Sequence, residues 1–179
     1  QILRLWLTQY VCENENIEFK KKLAKEIKLF LLKWAESGAF MKTRKNNSDT
    51  YCCIQDGVLN MNYNMSDFLT AYLVVTQDFP DDPNNEKIII NWVKKYMKKY
   101  GNRHFKKDSV GQFFNQHAVL RDYLNLKIAI LTNDNKLFAK AAKRALIFFA
   151  QSTPEGVYPY TAVRGQKATF YNHEVMNDY

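Results

Sequence analysis

Apolar residues recur at three- and four-residue intervals along almost the whole chain, and this spacing constrains the fold more than any other feature. A repeat close to 3.6 puts those side chains on one face of an α-helix. In residues 17–37, Leu23, Ile27, Phe30, Leu31 and Trp34 share a face, while Lys20, Lys21, Lys25 and Lys28 fall largely elsewhere. Gly38 follows as a helix stop. Asp82-Pro83 opens another helix, with proline in the first turn, where its missing N–H is not needed. That helix carries Ile89, Trp92, Val93, Tyr96 and Tyr100 on one side and ends at Gly101. Residues 112–131 align Phe113, His117, Leu120, Leu124, Ile128 and Leu131 in a stripe. A polar turn over 132–135 then leads to a helix marked by Leu137, Ala141, Ala145 and Phe148. Leu3, Trp6, Leu7 and Tyr10 mark the end of a further helix at the start of the chain.

Two segments read less directly. Residues 66–77 fit a helix capped by Ser66 or a buried strand, because Val74 and Val75 are β-branched. Their neighbours are helices joined by short turns, so a helix is the reading. Residues 39–64 are polar, rich in asparagine and without period, the pattern of a long loop that either binds or closes over something or simply covers surface. There are only six glycines and four prolines to interrupt helices. No apolar run approaches the roughly 20 residues of a membrane span. The expected fold is therefore all-α, built of antiparallel helical hairpins, with no domain boundary and no short repeat. A bundle, a solenoid or a closed α/α toroid would all satisfy this pattern.

The charge points to a class of partner. With 26 Lys and Arg against 18 Asp and Glu, the net charge is +8. A basic surface favours nucleic acid, an acidic membrane or an acidic polysaccharide, although many of these cations belong to the solvated faces of helices. No helix-turn-helix, zinc or RNA-binding signature accompanies the charge, so nucleic acid is not the expected partner. Cys12, Cys52 and Cys53 are odd in number and have no ligand spacing with histidine, which argues against a structural zinc site. The first ten residues lack the basic start, apolar stretch and cleavage site of a signal peptide. Since the chain opens on a glutamine, it is expected to have lost its natural start, and export stays open.

Between Asn115 and His173 the polar residues no longer look like helix surface. Asn115, Gln116 and His117 stand inside a helical pattern, with His117 in its apolar stripe and Arg121 one turn further on. Thr132-Asn133-Asp134 precedes the next helix, and the segment Pro154-Glu155-Gly156-Val157-Tyr158-Pro159 forms a turn and an extended stretch. Arg164-Gly165-Gln166-Lys167-Ala168 then leads to Tyr171 and His173. Singly, each has an ordinary explanation: a satisfied core histidine, a core tyrosine, a surface arginine. Together, at this spacing, they resemble the alginate (poly-mannuronate) lyase family. That family has Asn-Asn-His, an Asp-Gly-x-Leu-Pro turn, Arg-Gly-x-Arg-Ala and Tyr-His at the matching places. Lys33-Trp34-Ala35 also looks like the family's early helix. The resemblance is sharp over 112–174 and looser before. Two departures stand out: Gln116 replaces the family's second asparagine, and Asn172 follows Tyr171, with the imidazole one place later at His173.

The resemblance implies an incomplete α/α toroid with a substrate cleft, a periplasmic or secreted setting, and cleavage of a uronic-acid polymer by β-elimination without metal or cofactor. It also implies that further helices follow Tyr179. Removing the weakly acidic C5 proton of a uronate requires its carboxylate to be neutralised, the task assigned to Gln116 and Arg164. By resemblance Tyr171 is the acid, and also a candidate base. His117 is the base or a neutralising partner. Asn115, Arg121, Lys167 and His173 are expected to contact substrate. The competing expectations are a non-catalytic polysaccharide binder on the same fold and a basic nucleic-acid binder.

Overall fold

The computed structural model describes residues 2–13, 15–41, 51–100, 116–154 and 157, with 51–60, 100 and 116–118 described through their backbone alone. Six helices account for nearly all of them: α1 (Ile2–Cys12), α2 (Ile17–Glu36), α3 (Tyr51–Asp78), α4 (Pro83–Tyr100), α5 (Gln116–Thr132) and α6 (Asn135–Phe149). There is no strand among the described residues. The chain divides into two compact units, Gln1–Gly101 and Asn102–Tyr179.

In the first unit, α2 is the central helix and packs against α1, α3 and α4. Its start is set by Asn16, whose side chain accepts a hydrogen bond from the Phe19 N–H at 2.9 Å. Such a cap satisfies one of the amides that a helix leaves without an internal partner. Glu13 braces the approach by accepting from the Asn16 and Glu15 amides, and these bonds hold its carboxyl below the usual value. At the other end Gly38 takes φ +64°, the left-handed conformation that glycine adopts without strain.

The pairings give the helix directions. Arg4 pairs with Asp67 and Tyr10 with Asp78, so α1 and α3 run parallel. Lys20 meets Asp78 while Phe30 and Trp34 meet Phe68, so α2 runs against α3. The Tyr96 hydroxyl donates to Asn62 in α3, and the short turn 79–82 joins α3 to α4, so these two also run antiparallel. Asp82 accepts from the Asn84 amide at 2.8 Å and from Glu86 through its carbonyl, which places Pro83 in the first turn as the sequence predicts.

The core of this unit is aromatic at one end. Trp6, Phe30, Trp34, Phe40, Phe68, Trp92 and Tyr96 form a continuous chain of ring contacts, half of them edge-to-face and the rest tilted or stacked, at 4.9 to 6.3 Å between centroids. Phe40 reaches this cluster from a backbone with φ 63°, unusual for a bulky residue. Its turn is held by the Trp92 indole, which donates to the Ala39 carbonyl at 2.7 Å, and by Lys99, which donates to Met41. Elsewhere the core is mainly aliphatic, with Ile27, Leu31, Leu69, Val75 and Ile89 almost fully buried beside the rings of Tyr10 and Tyr72.

The structure corrects the reading of residues 39–64. Positions 51–64 are not loop but the first half of α3, and Ser66 lies buried in mid-helix rather than capping it. Asparagine disfavours a helix by only a few tenths of a kcal/mol per residue. The packed face Met65, Phe68, Leu69, Tyr72 and Val75 anchors the helix, and Asn62 within the extension receives the Tyr96 hydroxyl. Tertiary packing thus outweighs a weak local preference. Residues 42–50 lie outside the described residues.

Candidate functional site

The second unit holds the residues that the sequence singles out. Its frame is the hairpin of α5 and α6, which pack closely on each other. The link is Asn133-Asp134: Asn133 takes a positive φ of 53°, and the Asp134 carboxylate caps α6 by accepting from the Lys136 and Leu137 amides at 3.1 and 3.0 Å. A connection this short forces the helices antiparallel. Leu120, Leu124, Ile128 and Leu131 of α5 and Ala141, Ala145 and Phe148 of α6 are buried, as their periodicity predicts.

Within this hairpin stands a group of buried charges. Asp122 is 4% exposed and Arg121 9%. The Arg121 Nε–H donates to Asp122 Oδ1 at 3.2 Å, with Nη2 3.1 Å from the same oxygen. From α6, the Arg144 Nε–H is shared between Oδ1 at 3.0 Å and Oδ2 at 2.8 Å. Asp122 and Arg144 lie equally far along the chain from Asn133, so an antiparallel hairpin brings them level. One carboxylate therefore serves two guanidinium groups in a poorly solvated place. Charges are tolerated there only because each is paired and hydrogen-bonded. One turn beyond Tyr123, the buried Lys127 ammonium lies 3.7 Å from the centre of the Tyr123 ring, a cation–π contact.

Gln116 and His117 are the first two residues of α5, and their backbone is helical. Arg121 follows one turn later, and its observed contact is with Asp122. Asn115, Arg164, Lys167, Tyr171 and His173 lie outside the described residues. Asp122 and Arg144 were not singled out from the sequence. A signal was there: Asp122 is the only acidic residue in either α5 or α6, and it sits on a helix that is otherwise apolar and basic. A lone carboxylate in such a setting needs cationic partners if it is buried.

The family model for alginate lyases matches residues 5–173. The chain belongs to the alginate lyase family. The match runs through α1 to α6 and takes in both the Asn115-Gln116-His117 and the Arg164-to-Tyr171 segments. No curated protein and no solved structure matches the chain. Membership makes a polysaccharide lyase the coarse activity of this chain, and the all-helical architecture of the described residues agrees with it. No helix among the described residues is long and apolar enough to cross a membrane.

Proposed function

We propose that this member of the alginate lyase family cleaves a polymer of uronic acids, alginate first among them, by β-elimination. The observation that carries the reading is the extent of the family match, which includes both polar segments that bear the chemistry. In that reaction a base takes the proton from C5 of the uronate, and the electron pair forms the C4–C5 double bond. The C4–O bond breaks, and an acid protonates the departing sugar oxygen.

Gln116 and Arg164 stabilise the charge that builds on the carboxylate as the C5 proton leaves. Tyr171 supplies the proton to the leaving oxygen. A phenol ordinarily ionises near pH 10, so the neighbouring cation Arg164 would favour its phenolate if it also acts as base. His117 is the alternative base or a partner that neutralises the carboxylate. Asn115, Lys167 and His173 hold neighbouring sugars, and Arg121 contributes positive charge from its place beside Asp122. The helical hairpins belong to one domain shaped as an incomplete α/α toroid, and the protein works in the periplasm or outside the cell. No cofactor takes part.

Gln116 and the displaced His173 favour a second reading, a binding protein that has kept the cleft and lost turnover. An ultraviolet assay separates the two, because elimination creates an unsaturated sugar end that absorbs. Incubation with polymannuronate, polyguluronate and polyglucuronate should raise the absorbance with at least one polymer. Binding without any rise in absorbance would make the protein a binder.

A further inference from the structure

The first unit contains a groove of about 560 Å³ that none of the catalytic assignments uses. One wall is the N-terminal half of α2, with Lys21, Lys22, Lys25 and Lys28. The other wall is the end of α3 and the turn after it, with Phe79 and Pro80. Lys28 ties the walls together by donating to the Phe79 and Pro80 carbonyls, each at 3.1 Å. Lys21, Lys22 and Lys25 are exposed, and none of them has an ion-pair partner among the described residues.

Two acidic residues also border the groove, Glu18 and Asp78. Asp78 is already committed: Lys20 lies 3.1 Å away, and the Tyr10 hydroxyl donates to it at 2.7 Å. Glu18 therefore faces three lysines alone, and the groove keeps a positive balance. Lys28 is committed to the wall, bonded to two carbonyls and 4.0 Å from Asp81, so the free cations are Lys21, Lys22 and Lys25, spread over about one turn of α2, on the order of 6 Å. Phe79 and Pro80 give the lining an apolar part, and the exposed Lys21, Lys22 and Lys25 can lay their aliphatic stems along it with the ammonium groups in solvent. An apolar lining suits the C–H face of a pyranose ring, and a group of free cations suits carboxylates repeated along a chain. A nucleic acid would want stacking faces and a longer basic track. Here Phe79 is engaged edge-to-face with Tyr10.

We propose that this lysine-lined groove is an anchoring subsite that holds a short run of the acidic polysaccharide, an inference that rests on the substrate class assigned above. The test uses the full chain and two variants of equal charge. K21Q/K22Q/K25Q empties the groove of free cations, while K87Q/K94Q/K95Q removes three exposed lysines of α4 that do not line it. Retardation in gels containing polymannuronate measures binding, and circular dichroism confirms that both variants remain folded. The groove variant should bind roughly tenfold more weakly than the α4 variant, the sum of three modest surface attractions. Its affinity should also fall less with added salt. Equal affinity in the two variants would overturn the proposal. So would failure of the unaltered chain to bind polymannuronate, or a groove variant that loses only single-stranded DNA. If the unaltered chain binds through the groove but releases no unsaturated ends, the anchoring subsite stands and the lyase reading falls.

Discussion

The two units of this chain are held together by different physics. Gln1–Gly101 closes around an apolar core in which seven aromatic side chains touch in series; its pairs Arg4–Asp67 and Lys20–Asp78 lie towards the outside, and only Lys28–Asp81 among its described pairs is largely covered. In Asn102–Tyr179 the α5–α6 hairpin buries Arg121, Asp122 and Lys127 together with its aliphatic stripe. Burying rings is favourable in almost any arrangement that excludes water. Burying charges is favourable only when geometry pairs each of them. The second unit therefore depends on exact pairing where the first depends mainly on excluding water. The motif residues from Asn115 to His173 all belong to the second.

This contrast is easiest to break at Tyr171. If the chemistry belongs to the second unit, Tyr171→Phe keeps the ring and removes the proton donor. Turnover on a polymer that the parent protein cleaves should fall by roughly 100- to 10,000-fold, with binding nearly unchanged. A variant that keeps most of its elimination rate would remove the basis for assigning the reaction there. In the first unit the corresponding blow is to stability. Phe68 is buried and meets Phe30, Trp34 and Phe40, so Phe68→Ala should cost about 3–5 kcal/mol in chemical denaturation. A loss below 1 kcal/mol would mean that the ring cluster is not what holds that unit.

Asp122→Asn sharpens the comparison from the other side. It changes almost no volume but leaves two cations beside a neutral amide, and removing one partner of a buried pair typically costs about 3 kcal/mol or more. An isosteric change that proved harmless would show that the hairpin is held by its aliphatic stripe alone. The smallest expected effect concerns Asp78. The Tyr10 hydroxyl, and after it Lys20, hold the Asp78 carboxyl below its ordinary value. The pairing therefore contributes in full above the ordinary carboxylate pKa and is lost as pH falls through the lowered folded value. Asp78→Asn should be slightly less stable than the parent near neutral pH, and the gap should close in acid. A gap that persists unchanged at low pH would assign the effect to packing instead.

Much of this was legible before any coordinates. The limits of α2, α4 and α6 follow from residues that act locally: the buried stripe of α2 with Gly38 after it, Asp82-Pro83, and Asp134 before Asn135. Each feature works within a turn or two of helix, and such effects can be read from neighbours in sequence. The family was legible for a related reason, since Asn115-Gln116-His117 and the spacing from Arg164 to Tyr171 are matters of order along the chain.

Only the tertiary structure decided the rest. It carried α3 back to Tyr51, because a helix anchored by Phe68, Leu69 and Tyr72 can extend through a weakly favourable stretch. It put Phe40 into the aromatic cluster with a positive φ, sustained by a hydrogen bond from Trp92 to the carbonyl of Ala39, 53 positions away. It gave Arg121 a carboxylate partner and brought Arg144 from another helix to the same oxygen atoms. The carboxylate that meets Arg121 is its neighbour in sequence, but Arg144, Trp92 and the rings packed on Phe68 are all remote from the residues they fix. Periodicity tells which face of a helix is buried, but the free energy of burying a ring or a charge depends on what meets it there, and that is settled only when the helices pack.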